Sequence, residues 1–209
     1  MDSLADIVQV CHLTREVAVV TLNSPSNLNA LSQALVDQLC AILRRLDDAK
    51  EGVAAIVLAG CSAARSFSSG FDIAEFEELL PTDAIAKLNM LLSTVEGLSV
   101  PVIAAVSGIA FGGGCELALA CDVIYTTADA RFALPEVKLG LIPAAGGLRL
   151  LSKLVGPGRS AELILTGREW TGIEAETWGI ATKCFDDRDS CLAVSFPFTS
   201  LWWLAEIVM

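Results

Sequence analysis

The sequence predicts an α/β fold in which most strands pair in parallel. Short apolar runs, such as residues 53–58 and 102–106, alternate with segments whose apolar residues recur at the three- and four-residue spacing of a helix. This alternation is typical of parallel sheets with helical connections. The chain has 209 residues, of which 54% are apolar and 19% charged, so it is long and apolar enough to bury one large core.

The first third of the chain predicts a hairpin, a helix and a buried strand. Residues 7–13 and 17–22 are strand-like runs on either side of a short polar turn. Ser32 is predicted to cap a helix that continues to about residue 48, with Ile42 or Leu43 completing its inner stripe. Residues 53–58 are predicted as a strand, and residues 59–70 as a loop of small side chains.

The rest of the chain continues the alternation. Asp83 is predicted to cap a helix that ends near Gly97, with four side chains directed inward: Ile85, Leu88, Leu92 and Val95. The later predicted elements are a strand at 102–106, a helix after Gly112, a strand at 123–126, helices at 147–154 and 159–166, and a helix that a Thr171–Glu174 capping box begins and Gly179 ends.

Charge and cysteine content narrow the classes of function. A net charge of −11 argues against a broad basic surface for nucleic acid. Seven cysteines without a CxxC spacing, beside one histidine, argue against a zinc site and favour buried, reduced thiols. No basic presequence precedes the first strand, so we expect no targeting peptide in this chain. The apolar runs are too short for a membrane span.

The stretch from Gly112 to Glu116 reads Gly-Gly-Gly-Cys-Glu and lies between two apolar runs. This pattern predicts a strand, a tight turn, and a helix with a carboxylate in its first turn. Free N–H groups at a helix start can stabilise a developing negative charge, and a buried glutamate is costly unless it has a role. A glycine turn alone more often reflects close helix–strand packing, and Cys115 is interpreted as a packed thiol.

Three further segments join this turn in a fixed order: SFSSGFDIAEF, RFALPEVKLGLIPAAGG and TGIEAETWGIA. With PVIAAVSGIAFGGGCELALACDV and the early NSPSNLNAL, they resemble the crotonase (enoyl-CoA hydratase/isomerase) superfamily over residues 17–185. The resemblance implies a ββα spiral core of mainly parallel strands with surrounding helices. It also implies that much of the family's C-terminal helical region is missing.

The resemblance also implies a site. Backbone N–H groups of Phe71 and Gly113 would form an oxyanion hole for a CoA thioester, and Glu116 and Glu136 would be the catalytic pair. The implied substrate-binding residues are Ser69, Gly70, Asp72, Ile73, Gly112 and Ala144. No metal and no cofactor are implied, because CoA is part of the substrate. The family implies a homo-trimer or hexamer in the mitochondrial matrix or cytoplasm.

Two glutamates favour an enoyl-CoA hydratase, because adding water across C2=C3 requires both a base and an acid. The alternatives are an enoyl-CoA isomerase or another crotonase reaction, which need only one glutamate, and a truncated subunit that binds acyl-CoA without turnover. RNA binding is disfavoured by the acidic balance.

Three features depart from the family's pattern. Pro25 is not followed by a basic residue, which leaves Arg65 and Lys138 as candidate donors to CoA phosphates. Alanine stands at position 144, where hydratases usually carry glycine. We expect a core at residues 1–187 and an atypical apolar tail at 188–209, in which Trp202 and Trp203 are partly exposed. A chain with this tail is expected to have little activity on its own, because one apolar segment cannot cover every helix face.

Overall fold

The computed structural model describes residues 7–72, residue 75 and residues 81–193. The predictions for Ile73, Trp202 and Trp203 lie outside the described residues.

A six-stranded sheet forms the centre of the fold. Its strands are β1 (Val8–Thr14), β2 (Val17–Leu22), β3 (Ala55–Gly60), β5 (Val102–Val106), β7 (Val123–Thr127) and β10 (Lys183–Phe185), in the order β1-β2-β3-β5-β7-β10. β1 and β2 pair antiparallel as the predicted hairpin, and the other neighbours pair in parallel. The predicted α/β fold with mainly parallel strands is therefore confirmed.

A second sheet of four short strands lies beside it: β4 (Ser66–Ser68), β6 (Ile109–Phe111), β8 (Arg131–Ala133) and β9 (Trp170–Thr171), in the order β4-β6-β8-β9. β8 and β9 pair antiparallel, and the others in parallel. The prediction of a loop at 59–70 is wrong in two places. Ala59 and Gly60 continue β3, and Ser66–Ser68 is a strand because it pairs with β6.

The described α-helices are α1 (Gln33–Leu46), α2 (Pro81–Glu96), α3 (Gly113–Leu119), α4 (Gly147–Thr166), α5 (Gly172–Thr177) and α6 (Arg188–Ala193). β3-β4-α2, β5-β6-α3 and β7-β8-α4 are three successive ββα units, as the resemblance implied. Each unit contributes one strand to each sheet before its helix begins.

The helix boundaries agree with the predicted caps except at α2. The Ser32 hydroxyl accepts a hydrogen bond from the Leu35 N–H at 3.2 Å, and the Thr171 capping box is formed in both directions. Asp83 does not cap α2, because the helix already includes Pro81, and Asp83 lies in its first described turn. The two predicted helices at 147–166 are continuous except at Gly156, where the backbone leaves helical geometry.

The main core lies between one face of the six-stranded sheet and helices α1 to α4. Of the two alternatives for the α1 stripe, Leu43 is fully buried and Ile42 is only partly buried. A smaller cluster on the opposite face contains Tyr125 and Phe185, whose rings meet edge to face, and Cys191 of α6. Four of the seven cysteine thiols are buried: Cys40, Cys115, Cys121 and Cys191.

Candidate active site

The peptide between Gly70 and Phe71 lies at the corner after β4. The Leu31 N–H donates to the Gly70 carbonyl at 2.7 Å, and Leu31 and Phe71 form an isolated parallel bridge. The C=O and N–H of one trans peptide point in opposite directions. The Phe71 N–H therefore points away from Leu31.

Gly70 brings this corner against the start of α3. Its φ of +100° is a conformation that residues with a side chain rarely adopt. A Cβ at Gly70 would lie 2.7 Å from the Phe111 carbonyl oxygen and 3.3 Å from the Gly113 nitrogen. The Gly113 N–H is the first amide of α3, so no carbonyl of that helix can accept from it. The backbones on both sides of the predicted oxyanion hole are thus in direct contact.

Glu116 is buried in the first turns of α3, with 1% of its surface exposed. Its Oε1 accepts three backbone hydrogen bonds from the start of α4 and the residues just before it: Ala145 N at 3.1 Å, Gly146 N at 3.0 Å and Gly147 N at 2.7 Å. Burial raises the pKa of Glu116, and the three N–H groups act in the opposite direction because they stabilise the carboxylate. The amides also fix where the carboxyl group lies.

Glu136 reaches the same place from another element. It lies in the 3-10 helix Pro135–Leu139 that follows β8, and its Oε1 is 3.3 Å from where a Cβ of Gly112 would lie. Its Oε2 is buried and has no hydrogen-bond partner among the described residues. Burial raises the pKa of Glu136 to about 7, its own backbone N–H lowers it, and the nearby Glu116 carboxylate adds to the increase.

These groups line one cavity of about 230 Å³. Eight of the ten predicted site residues contribute to its wall: Ser69, Gly70, Phe71, Gly112, Gly113, Glu116, Glu136 and Ala144. Asp72 is outside the lining, where its Oδ2 accepts a hydrogen bond from Asn27 Nδ2 at 3.3 Å. Ile73 lies outside the described residues. The exposed side chains of Arg65 and Lys138 are also outside the lining.

Sequence reasoning did not identify the apolar part of the cavity wall, which contains Ile85, Leu88, Leu139, Leu141 and Ile142. Ile85 was predicted to face the core, but it is 36% exposed and borders the cavity. Leu139 and Ile142 are 69% and 66% exposed, although they are large and apolar. The signal in the sequence was the largely apolar stretch Leu139–Ile142, which begins at the end of the 3-10 helix and continues beyond it.

Cys115 is next to both glutamates in space but is not an activated nucleophile. Its thiol is fully buried, and burial raises its pKa well above the ordinary value, with both carboxylates adding to the effect. The thiolate is therefore disfavoured. Within the described part of the chain, no three His, Cys, Asp or Glu side chains are grouped to hold a metal ion. No described helix is long and apolar enough to cross a membrane.

Comparison with known proteins agrees with the fold. A sequence profile described as Enoyl-CoA hydratase/isomerase matches residues 13–191. The chain belongs to this family. A crystal structure of enoyl-CoA hydratase from Bacillus anthracis superposes with a TM-score of 0.88 at 32% identity, over 93% of this chain and 76% of the other.

Curated relatives carry related names. A probable mitochondrial enoyl-CoA hydratase of Dictyostelium discoideum is 40% identical over 84% of this chain and 64% of its own length. A probable enoyl-CoA hydratase of Rhizobium meliloti is 43% identical over 80% of this chain and 64% of its own length. The chain therefore spans slightly less than two thirds of these relatives.

Proposed function

We propose that this protein is an enoyl-CoA hydratase, which adds water across the C2=C3 bond of a 2-enoyl-CoA. The observation that carries the proposal is the meeting of two glutamates from two different elements at one cavity, the buried Glu116 and the partly buried Glu136. The peptide at Gly70 and Phe71 and the first amide of α3 lie at the same cavity. The names of the relatives support the same reaction.

The proposed oxyanion hole consists of the N–H groups of Phe71 and Gly113. Attack of water at C3 moves negative charge onto the thioester oxygen as an enolate forms. Two fixed N–H donors stabilise that charge without reorganising. A Cβ at Gly70 would lie only 3.3 Å from the Gly113 nitrogen, and this close approach supports the role because it keeps the two donors on neighbouring stretches of backbone.

The two glutamates are suited to different steps. Three N–H groups favour the ionised form of Glu116, so Glu116 is the proposed base that takes a proton from the attacking water. Glu136 has a pKa of about 7 and an unsatisfied buried oxygen, so it is the proposed acid that donates a proton to C2. The oxygen of water bonds to C3 and keeps one of its protons, while Glu116 takes the other. Glu116 then releases its proton to solvent and Glu136 takes one from solvent, which returns both carboxyl groups to their starting states.

The other predicted residues have supporting roles in this proposal. Ser69, Gly70, Gly112 and Ala144 shape the wall around the thioester, and the exposed apolar side chains of Leu139–Ile142 offer a surface for the acyl chain. Asp72 and Ile73 are included as binding residues on the resemblance alone.

We further propose that the reaction uses no cofactor beyond the CoA of the substrate and that the protein forms a homo-trimer or hexamer. The proposed compartment is the mitochondrial matrix or the cytoplasm. Support for a mitochondrial compartment comes from relatives named as mitochondrial, including "Enoyl-CoA hydratase, mitochondrial" of Pongo abelii, which is 40% identical over 80% of this chain and 57% of its own length.

The test is turnover of crotonyl-CoA, followed by loss of enoyl absorbance, beside turnover of a 3-enoyl-CoA, followed by isomer analysis. Replacing Glu116 or Glu136 by Gln should each lower hydration by at least about 10²-fold, the range of general acid–base catalysis. Isomerisation that survives Glu116→Gln while hydration is lost would indicate an isomerase. Binding of acyl-CoA without either turnover would indicate a non-catalytic subunit.

A further inference from the structure

The segment from Asn27 to Leu31 runs alongside the strand and corner that carry Phe71. Backbone bonds join the two stretches: Ser69 N donates to the Leu28 carbonyl at 3.0 Å, and Leu31 N donates to the Gly70 carbonyl at 2.7 Å. The segment makes no contribution to the cavity lining. Its relation to the site is therefore indirect, through the backbone that it holds.

Asn29 is the centre of this contact, and its side chain is fully buried. Its Nδ2 donates to the Ser66 carbonyl at 2.9 Å and to the Phe67 carbonyl at 3.3 Å, while its Oδ1 accepts from the Ser24 N–H at 2.8 Å. One amide thus joins the turn before α1 to strand β4. A buried amide with its donors and acceptor satisfied specifies one local structure.

The backbone at this point is unusual. Leu28 and Asn29 have φ values of +58° and +56°, a left-handed conformation that asparagine tolerates better than most residues. Two such residues in succession are held only when the surroundings determine them. The Asn29 side-chain bonds provide that constraint, and they thereby fix the direction of the Asn29 carbonyl.

Ser68 transmits this fixed direction to the corner. Its hydroxyl donates to the Asn29 carbonyl at 2.8 Å and accepts from the Gly70 N–H at 3.2 Å. Gly70 is therefore held at its N–H through Ser68 and at its carbonyl by Leu31. Because the Gly70 carbonyl shares a peptide plane with the Phe71 N–H, holding one sets the direction of the other.

We propose that Asn29 and Ser68 are positioning residues, which orient the Gly70–Phe71 peptide so that the Phe71 N–H donates to the thioester oxygen. This inference rests on the proposed function, because it assumes that the oxyanion hole exists. Neither residue lines the cavity. Their effect is on the angle and distance of one donor.

Strand β4 offers a control. Ser66 is two residues from Ser68 and is also buried, and its hydroxyl donates to the Ile109 carbonyl at 3.0 Å instead of to the 27–31 segment. Ser66→Ala and Ser68→Ala each remove one buried hydroxyl from the same strand, and both should lower thermal stability. The loss should be larger in Ser68→Ala, because that hydroxyl makes two hydrogen bonds and the Ser66 hydroxyl makes one. Only Ser68→Ala removes the link to the Gly70 amide.

The first measurement is steady-state hydration of crotonyl-CoA by the full chain and by three variants: Ser68→Ala, Asn29→Gly and Ser66→Ala. Glycine is chosen at position 29 because it keeps the left-handed backbone while deleting the side-chain bonds. A misplacement of about 1 Å costs about 10²-fold, so we expect kcat to fall about 10- to 100-fold in Ser68→Ala and Asn29→Gly. KM should change less than about threefold, and Ser66→Ala should stay within about threefold of the unaltered chain.

The second measurement is the infrared carbonyl stretch of bound butyryl-CoA labelled with ¹³C at the thioester carbon. Hydrogen-bond donors polarise this carbonyl and lower its frequency, so the unaltered chain should shift it relative to free ligand. The shift should shrink in Ser68→Ala and persist in Ser66→Ala. This readout does not depend on turnover, and a general loss of stability does not produce that difference.

The outcomes distinguish the positioning roles of Asn29 and Ser68 from the existence of the oxyanion hole. A carbonyl shift that is unchanged in Ser68→Ala, with kcat also unchanged, overturns the positioning roles but leaves the oxyanion hole. Equal losses in Ser66→Ala and Ser68→Ala also overturn those roles, because the effect would then be one of strand stability. No shift in the unaltered chain overturns the oxyanion hole itself, and with it this inference.

Discussion

The pH dependence of turnover tests the division of roles between the two glutamates. Turnover is measured from about pH 5 to pH 9, and the pKa of Glu136 gives the expected midpoint of its change. Burial and the Glu116 carboxylate raise the pKa of Glu136 from its ordinary value of 4.5 to about 7. If Glu136 donates the proton to C2, activity must decrease as this carboxyl ionises.

The size of the effect follows from the protonated fraction. At pH 7 a carboxyl with a pKa of about 7 is about half protonated, whereas one with a pKa of 4.5 is only about 0.3% protonated. The buried position thus supplies about 150-fold more of the acid form at neutral pH. Above pH 7 we expect kcat/KM to fall about tenfold per pH unit, because that ratio reports the ionisations of the free enzyme.

The assay is kcat/KM for crotonyl-CoA hydration at each pH, with a blank for spontaneous thioester hydrolysis. Glu162→Gln is the matched control, since Glu162 is an exposed carboxylate paired with Arg168 on the surface, and it should leave the profile unchanged. A profile that is flat between pH 6 and pH 9, or that increases through pH 7, would refute the assignment of Glu136 as the acid.

Three further predictions concern stability. The pKa of Glu136 is higher in the folded chain than in the unfolded one, so its carboxyl contributes to the free energy of unfolding below pH 4.5. This contribution is lost as pH increases through about 7, so Glu136→Gln should raise the thermal midpoint at pH 8 but not at pH 4. Glu116→Ala should unfold at a clearly lower temperature than Glu116→Gln, because alanine leaves three amides without their acceptor at about 1–3 kcal/mol for each buried one. Equal midpoints would show that the amides find other acceptors. Gly114→Ala should impair folding, since its Cβ would lie 2.4 Å from the Ser68 carbonyl oxygen, while Gly158→Ala, with nothing within 4 Å, should be neutral or stabilising by circular dichroism melts.

Local sequence signals predicted the elements that are long and the helices whose capping residues are close to them in sequence. The α1 start at Ser32 and the Thr171 capping box depend on residues three positions apart, so they were readable from the chain. The strands of the second sheet were not predicted, because β4, β6 and β8 have three residues each. A run of three residues shows no periodicity, and these strands exist only because they pair with one another.

In the candidate site, too, the features with a local sequence pattern could be predicted, and the contacts between distant segments could not. Glu116 could be proposed from its place after a glycine turn, but the amides that hold it begin at Ala145, 29 residues later. Asn29 lies in the NSPSNLNAL segment, but that segment predicted only a turn and gave no role to this side chain. Its proposed role depends on Ser66 and Phe67, which approach it only in the folded chain. Contacts between distant segments follow from topology, which a local pattern does not contain.

The repeated ββα unit explains why residues far apart in sequence reach one cavity. In each unit the chain leaves the second sheet at a corner, and the three corners lie side by side because β4, β6 and β8 are neighbours. The first corner carries Phe71, the second Gly113 and Glu116, and the third Glu136. The proposed oxyanion donors therefore come from two units, and the proposed catalytic carboxyl groups also come from two. The strands set this alignment. Asn29 and Ser68, the proposed positioning residues, join the first corner to the segment before α1, where a small displacement would separate the two donors.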